Sequence, residues 1–335
     1  MACGIFIEPS IFAPVLERIL PLLTALALLA GCATAPRESH RATREWPRHT
    51  LRMAQTFVLN PPGGERFDAS GLLFMPDGSL LTVNDRGPQV YRIDIQPSAS
   101  EAGLTPLENL FKPSELAPLA PLKLGHYDCE GLAIDDRGRI YLCEEANRWI
   151  LRCDPKTGHV ERLPIDWAPV EQYFSSVDAN ASFEGIAVGR GKLYVANERS
   201  APRVIVVDLE SLRVTGSFQP LPRKGSFFGT HYSDLCWFEG NLWVLCRQHR
   251  VVLEVNPDTR EVLAEFDYEA VEDALGYRTG LPVGIMEGLA VDRDWIWLVT
   301  DNNGLPRKSA PRDIRPMLVK CPRPDRERSG ATRAH

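Results

Sequence analysis

From about residue 50 onward the chain is a succession of short apolar runs, each broken by Gly, Asp, Asn or Pro. Short apolar runs bounded by turn residues predict β-strands. One pattern occurs five times: a small or acidic residue, a strand of the Gly-Leu-Ala type, a tight turn, and an aromatic-aliphatic strand that ends in polar residues. The copies are SGLLFMPDGSLLTVNDR from Ser70, EGLAIDDRGRIYLCEE from Glu130, EGIAVGRGKLYVANER from Glu184, DLCWFEGNLWVLCRQ from Asp234 and EGLAVDRDWIWLVTDNN from Glu287. The residues between each pair of runs, such as Pro76-Asp77-Gly78 or Asp135-Asp136-Arg137-Gly138, accept the positive φ of tight hairpin turns.

A third strand follows each hairpin (VYRIDI, WILRCD, RVIVVD, VVLEVN, PMLVKC), and in copies two to four a fourth appears as HVERLPI, RVTGSF or EVLAEF. Four antiparallel strands per repeat of about 50 residues is the blade of a β-propeller, in which no blade buries both faces alone. The fold class is therefore all-β, a single propeller of four-stranded blades. Five blades is the direct count, and the stretch 101–124 leaves room for a sixth. Copy five has no downstream fourth strand, so the segment Thr50 to Leu59 is expected to close the ring as the outer strand of the last blade. Only Tyr268 to Leu275 suggests a helix.

The first residues read as an address. Ile19 to Ala30 is a continuous apolar run, too short for a bilayer and of the length of a signal-peptide core. It ends in Leu29-Ala30-Gly31-Cys32, which resembles the lipobox of bacterial lipoproteins. Expected, then, are a signal peptide over residues 1–31, a lipid on Cys32, a polar tether over 32–49, the propeller over 50–321 and a disordered tail over 322–335. Ala33 after the cysteine favours the periplasmic side of the outer membrane. The formal net charge of −6 over 335 residues argues against nucleic acid as a partner. A small anionic molecule or an envelope protein remains, with a monomer expected.

Antiparallel neighbours bring the start of each inner strand and the end of each second strand to one mouth of the ring. The first set is Ser70, Glu130, Glu184, Asp234 and Glu287; the second includes Asp85, Arg86, Glu145, Arg199, Arg247, Asp301 and Asn302. Carboxylates facing one axis repel unless protonated or shared with a cation, and oxygen ligands favour Ca²⁺. A ligand set of Glu130, Glu184 and Glu287, helped by Asp234, Asn197 or Asp301, follows. Asp85, Arg86, Glu145, Arg199, Arg247 and Asn302 are candidates to bind substrate, the arginines on loops facing outward. His126 and His231 stand just before the acidic starts of copies two and four and are candidate general bases. The opposite mouth is built of hairpin turns. Cys143 and Cys153 flank a turn and are the pair best placed for a disulfide, yet buried free thiols, which pack as small apolar residues, are the preferred reading.

The Glu-Gly-(Leu/Ile)-Ala strands, with Val83-Asn84-Asp85-Arg86-Gly87, Ala196-Asn197-Glu198-Arg199 and Thr300-Asp301-Asn302-Asn303, resemble the phytase-like esterase family of β-propellers over roughly residues 65–320. More distantly they are similar to SdiA-regulated and gluconolactonase-like propellers. The resemblance implies Ca²⁺ held by Glu130, Glu184 and Glu287, with Asn197 and Asp301 beside them. It departs at Ser70, and at Asp234 followed by Arg247. No Gly-x-Ser-x-Gly elbow is present, so serine-nucleophile chemistry has no support. Two readings stand: a metal-dependent hydrolase of a phosphoester, ester or lactone, and a non-catalytic ligand- or protein-binding propeller of the cell envelope.

Overall fold

The computed structural model describes residues 45–119, 122–178, 181–277 and 284–324. Cys32, the expected signal peptide, most of the expected tether and the end of the expected tail lie outside these residues. Blade one holds strands Ala69–Phe74, Leu80–Asn84, Gly87–Asp94 and Glu101–Pro106. Blade two holds Cys129–Ile134, Ile140–Glu144, Trp149–Cys153 and Val160–Arg162, and blade three Phe183–Gly189, Lys192–Asn197, Arg203–Asp208 and Arg213–Phe218. Blade four holds Tyr232–Phe238, Asn241–Cys246, Val251–Val255 and Val262–Asp267, and blade five Met286–Val291, Trp295–Thr300 and Met317–Pro322. The blade count is thus five. The room left for a sixth is taken by the fourth strand of blade one and by a loop with one short helical turn, Pro113–Leu116.

The N-terminal strand Gln55–Asn60 pairs antiparallel with Met317–Lys320 and closes blade five from outside, as expected. It also pairs parallel with Glu101–Gly103, which joins blades five and one into one continuous sheet. The expected tether ends early, because Arg48–Thr50 lies parallel on Glu265–Asp267 as a fifth strand of blade four. The helix Glu269–Leu275 follows that blade and stops at Gly276 in the left-handed region.

Five clusters of buried apolar side chains form the core, each shared by two adjacent blades. Near-continuous apolar runs produce this layout, since strands such as Ile140–Glu144, Phe183–Gly189 and Val251–Val255 are buried at every position and so pack against a neighbour on both faces. Tyr141, Tyr194 and Trp243 occupy the same place in three second strands and are fully buried; burying each such ring stabilises by roughly 2–3 kcal/mol.

Cys143 and Cys153 are not bridged. Cys143 stands opposite Ile150 and Cys153 opposite Ile140, so the two sulfurs are offset along the hairpin. The Cys143 thiol instead takes the N–H of Gly131 at 3.1 Å and faces the Glu184 carbonyl at 3.0 Å. Burial pushes it well above the usual thiol range. All six cysteines of the described residues are free, and a thiol titration of denatured protein should count every one of them; a lower count would show a bridge.

Candidate functional site

Five backbone hydrogen bonds define which residues are equivalent at the mouth. Asp85 donates to the Asp68 carbonyl, Glu145 to Asp128, Glu198 to Ser182, Arg247 to His231 and Asp301 to Ile285, all between 2.7 and 3.1 Å. The register agrees: Ala69 faces Asn84, Cys129 faces Glu144, Phe183 faces Asn197, Tyr232 faces Cys246 and Met286 faces Thr300. Every inner strand then carries a bulge that turns the next side chain toward the axis. The inner ring is therefore Ser70, Glu130, Glu184, Ser233 and Glu287, and the ring above it is Asp85, Glu145, Glu198, Arg247 and Asp301.

This equivalence corrects the place of Asp234. Ser233 stands where three other blades have glutamate, and Asp234 occupies the position of Gly71, Gly131, Gly185 and Gly288. Its carboxylate points down the axis and accepts backbone N–H groups from Leu289 at 2.7 Å, Leu235 at 2.8 Å and Leu72 at 3.2 Å. Asp234 is completely buried and its oxygens are occupied, so it is a latch between blades four, five and one and not a ligand of the mouth. Asp234→Ala should cost about 3 kcal/mol or more by stranding those donors, read as a lower denaturant midpoint. An unchanged midpoint would disprove the latch.

The mouth encloses a cavity of about 170 Å³ lined by Asp68, Asp85, Asp128, Glu130, Glu145, Glu184, Glu287 and Asp301, with Arg199 and Arg247 as its cations. Ser70 Oγ donates to Glu130 at 2.5 Å. Arg247 does not face outward as its loop suggested. Its guanidinium reaches Glu198 at 2.6 Å and pairs with Glu287, bridging blades three, four and five. Arg199 pairs with Glu198 and with Asp178 at 3.1 Å.

Crowded, desolvated carboxylates disfavour the charged form. Burial, then the neighbouring Asp128 and Glu198, push Glu145 up to about 9. Burial, reinforced by Glu145, raises Glu130 well above the carboxylate range, and burial with Glu198 does the same for Glu184. Asp85 is pushed up to about 7 by burial and by Asp68 and Asp301, and Asp301, mainly by burial, to about 6. Glu198 goes the other way: burial alone would raise it, but His231, Arg247 and Arg199 together hold it below the usual range.

Two overlapping groups have donor oxygens within 4.8 Å of one another: Asp128, Glu130 and Glu145, and Glu145, Glu184 and Glu198. The carboxyl common to both is Glu145, expected above as a substrate ligand. Asp85 Oδ1 and Glu287 Oε2 are buried without a hydrogen-bond partner, which is the condition of donors that await a cation or a proton. An all-oxygen set suits a hard divalent ion.

Of the other expected residues, Asn197 and Asn302 hold loops in place. The Asn197 amide donates to the carbonyls of Tyr173, Arg199 and Ala201, and that of Asn302 to Leu305 and Ile314. Neither lines the cavity. Arg86 pairs with Asp68 at 2.6 Å on the outer lip. His231 sits 3.1 Å from Glu198 behind the cavity wall, and His126 is exposed on the rim. Asp68 and Asp128 escaped the sequence reading. Their signal was an Asp two residues before the inner-ring position in both Asp68-Ala69-Ser70 and Asp128-Cys129-Glu130.

Five blades around an axis closed by backbone contact, with a charged mouth at one end, define a β-propeller with an axial polar site. The chain belongs to the phytase-like family, whose sequence model, described as "Esterase-like activity of phytase", matches residues 68–304. Among solved structures it is similar to the glutaminyl cyclase of Myxococcus xanthus, with a TM-score of 0.53, 16% identity, and 84% of this chain and 100% of that one covered. It is also similar to the aldose sugar dehydrogenase of Streptomyces coelicolor, with a TM-score of 0.45, 13% identity, and 82% and 98% covered. The first likeness supports the propeller fold and does not extend to chemistry. A search of curated proteins finds no match.

Proposed function

We propose that the chain is an exported lipoprotein, held by a lipid on Cys32 to the periplasmic side of the outer membrane, whose propeller mouth is a Ca²⁺-dependent hydrolase site for a phosphoester, ester or lactone. One observation carries this reading. Eight carboxylates line the cavity against two guanidinium groups, so an anionic ester is repelled unless a divalent cation or several protons offset that charge. Asp128, Glu130 and Glu145, with Glu184 beside them, would hold the ion, which supplies the positive charge that polarises an ester oxygen. Arg199, the half-buried cation of the lining, orients the anionic end of the substrate. Asp85, with a carboxyl near 7, can hold or release a proton at neutral pH, which suits a general acid or base better than the recessed His231.

The small cavity favours a second reading. A volume of about 170 Å³ is below that of most ligand pockets and admits an ion and one small head group. A monomeric propeller that binds an anionic ligand or an envelope protein through its cation, without turnover, fits that size. Assays of an aryl phosphate, an aryl ester and a lactone, with Ca²⁺ and with EDTA, separate the two. Ca²⁺-dependent turnover that Asp85→Asn lowers by about a hundredfold in kcat is expected; Ca²⁺ binding with no turnover of any of the three would select the second reading.

A further inference from the structure

The cations of the mouth are spread unevenly over its carboxylates. Asp128, Glu130 and Glu145 form one of the two groups whose donor oxygens lie within 4.8 Å of one another, and among the described residues no arginine or lysine pairs with any of the three. The other group, Glu145, Glu184 and Glu198, is met by Arg247, whose guanidinium reaches Glu198 at 2.6 Å and pairs with Glu287. The Glu198 side chain is fully enclosed and that of Glu287 is 7% exposed.

Three features set this arginine apart from an ordinary ion pair. Its position belongs to the column of Asp85, Glu145, Glu198 and Asp301. A guanidinium there turns a negative charge into a positive one, which is the change that a divalent ion bound to a carboxylate would make. It is also held from two blades at once, as a metal ion is, by Glu198 at the end of the second strand of blade three and by Glu287 on the first strand of blade five. Last, the pairing is incomplete. Glu287 Oε2 lines the cavity, buried and without a donor, while Arg247 Nε is buried without an acceptor. A planar guanidinium offers its N–H groups in a fixed fork and leaves some oxygens unserved; a spherical cation can draw on all of them.

We infer that Arg247 is a built-in counter-ion that holds the place of a divalent cation among Glu184, Glu198 and Glu287, and that it thereby sets how many metal ions the mouth accepts. An ion cannot share those carboxylates with the guanidinium, because like charges repel strongly where water is largely excluded. Exchangeable metal is then confined to Asp128, Glu130 and Glu145. This confinement rests on the cation reading proposed above; the role of Arg247 does not.

The test counts Ca²⁺ bound per folded chain, by equilibrium dialysis and elemental analysis, in the full-length native protein, in Arg247→Gln and in Arg247→Lys. Arg247→Gln is expected to bind one ion more than the native protein and to lose that extra ion when Glu287→Gln is added. Arg247→Lys, which keeps a cation in place, should match the native count. Because the neutral variant strands buried carboxylates, melting is followed alongside, and Ca²⁺ should raise its melting temperature more than that of the native protein. A count in Arg247→Gln equal to the native one, an extra ion that survives Glu287→Gln, a rise in Arg247→Lys as well, or a neutral variant that no concentration of Ca²⁺ folds would overturn the inference. The native count is read separately: if it is zero, the cation reading of the mouth falls, and the difference between the variants still decides the role of Arg247.

Discussion

Gly185→Ala should destabilise the propeller by about 3 kcal/mol or more, read as a fall in denaturant midpoint at unchanged slope. A Cβ on Gly185 would stand 2.4 Å from Asp234 Cα and 2.6 Å from the Leu235 nitrogen, and one on Gly131 would stand 2.6 Å from the Ile186 nitrogen. The atoms met are backbone of the next inner strand. No rotamer change can relieve that overlap, so the blades themselves would have to move apart. Gly225→Ala is the control, because nothing lies within 4 Å of its added carbon, and it should leave the midpoint where it was. If Gly185→Ala is as harmless as the control, the inner strands do not meet at the axis as described.

In EDTA the melting temperature should fall as pH rises from about 5 to 8, and Ca²⁺ should flatten that fall. The sign follows from proton uptake. Asp301 near 6, Asp85 near 7 and Glu145 near 9 keep protons in the folded state that the unfolded chain, with carboxyls near 4, has already released. The folded state binds more protons throughout that window, so raising the pH favours unfolding. An ion that binds only the folded mouth opposes this by mass action and binds better as the carboxyls ionise. Glu145→Gln removes the carboxyl common to both ligand groups. It should abolish the response to Ca²⁺ and yet leave the metal-free protein more stable than the native one at pH 8, since it removes a carboxyl that must take up a proton on folding at that pH while keeping the side chain's size. Melting that is flat in pH and indifferent to Ca²⁺ would sink the cation site, and elemental analysis gives an independent reading.

The blades were legible because their signal is local: short apolar runs, hairpin turns and recurrence every 50 to 60 residues need no knowledge of what touches what. The site was legible only in outline. Glu130, Glu184, Glu287, Glu145, Asp85 and Asp301 do converge on one cavity, as the strand directions required. Asp234 was misplaced by one residue, because alignment on acidic side chains ignores the bulge; aligning Tyr232 with Cys129 and Phe183 would have put Ser233 in the ring. Arg247 was placed outside for a related reason. Its column, read across blades as Asp85, Glu145, Glu198, Arg247 and Asp301, is one of inward-facing residues, and the charge reversal in blade four is what pairs it with Glu198 and Glu287.

The seam of the ring is where the closing strand and the last strand of blade five meet, since Gln55–Asn60 pairs with Met317–Lys320. The strand Met317–Pro322 is therefore needed before the circle exists, and the ring can close only once all five blades have been made. Three residues, Arg48–Thr50, lie on blade four just before the closing strand. A pull on the chain from its N-terminal side loads that short pairing first, and it can peel away while the seam stays shut, in the manner of a strain relief on a cable.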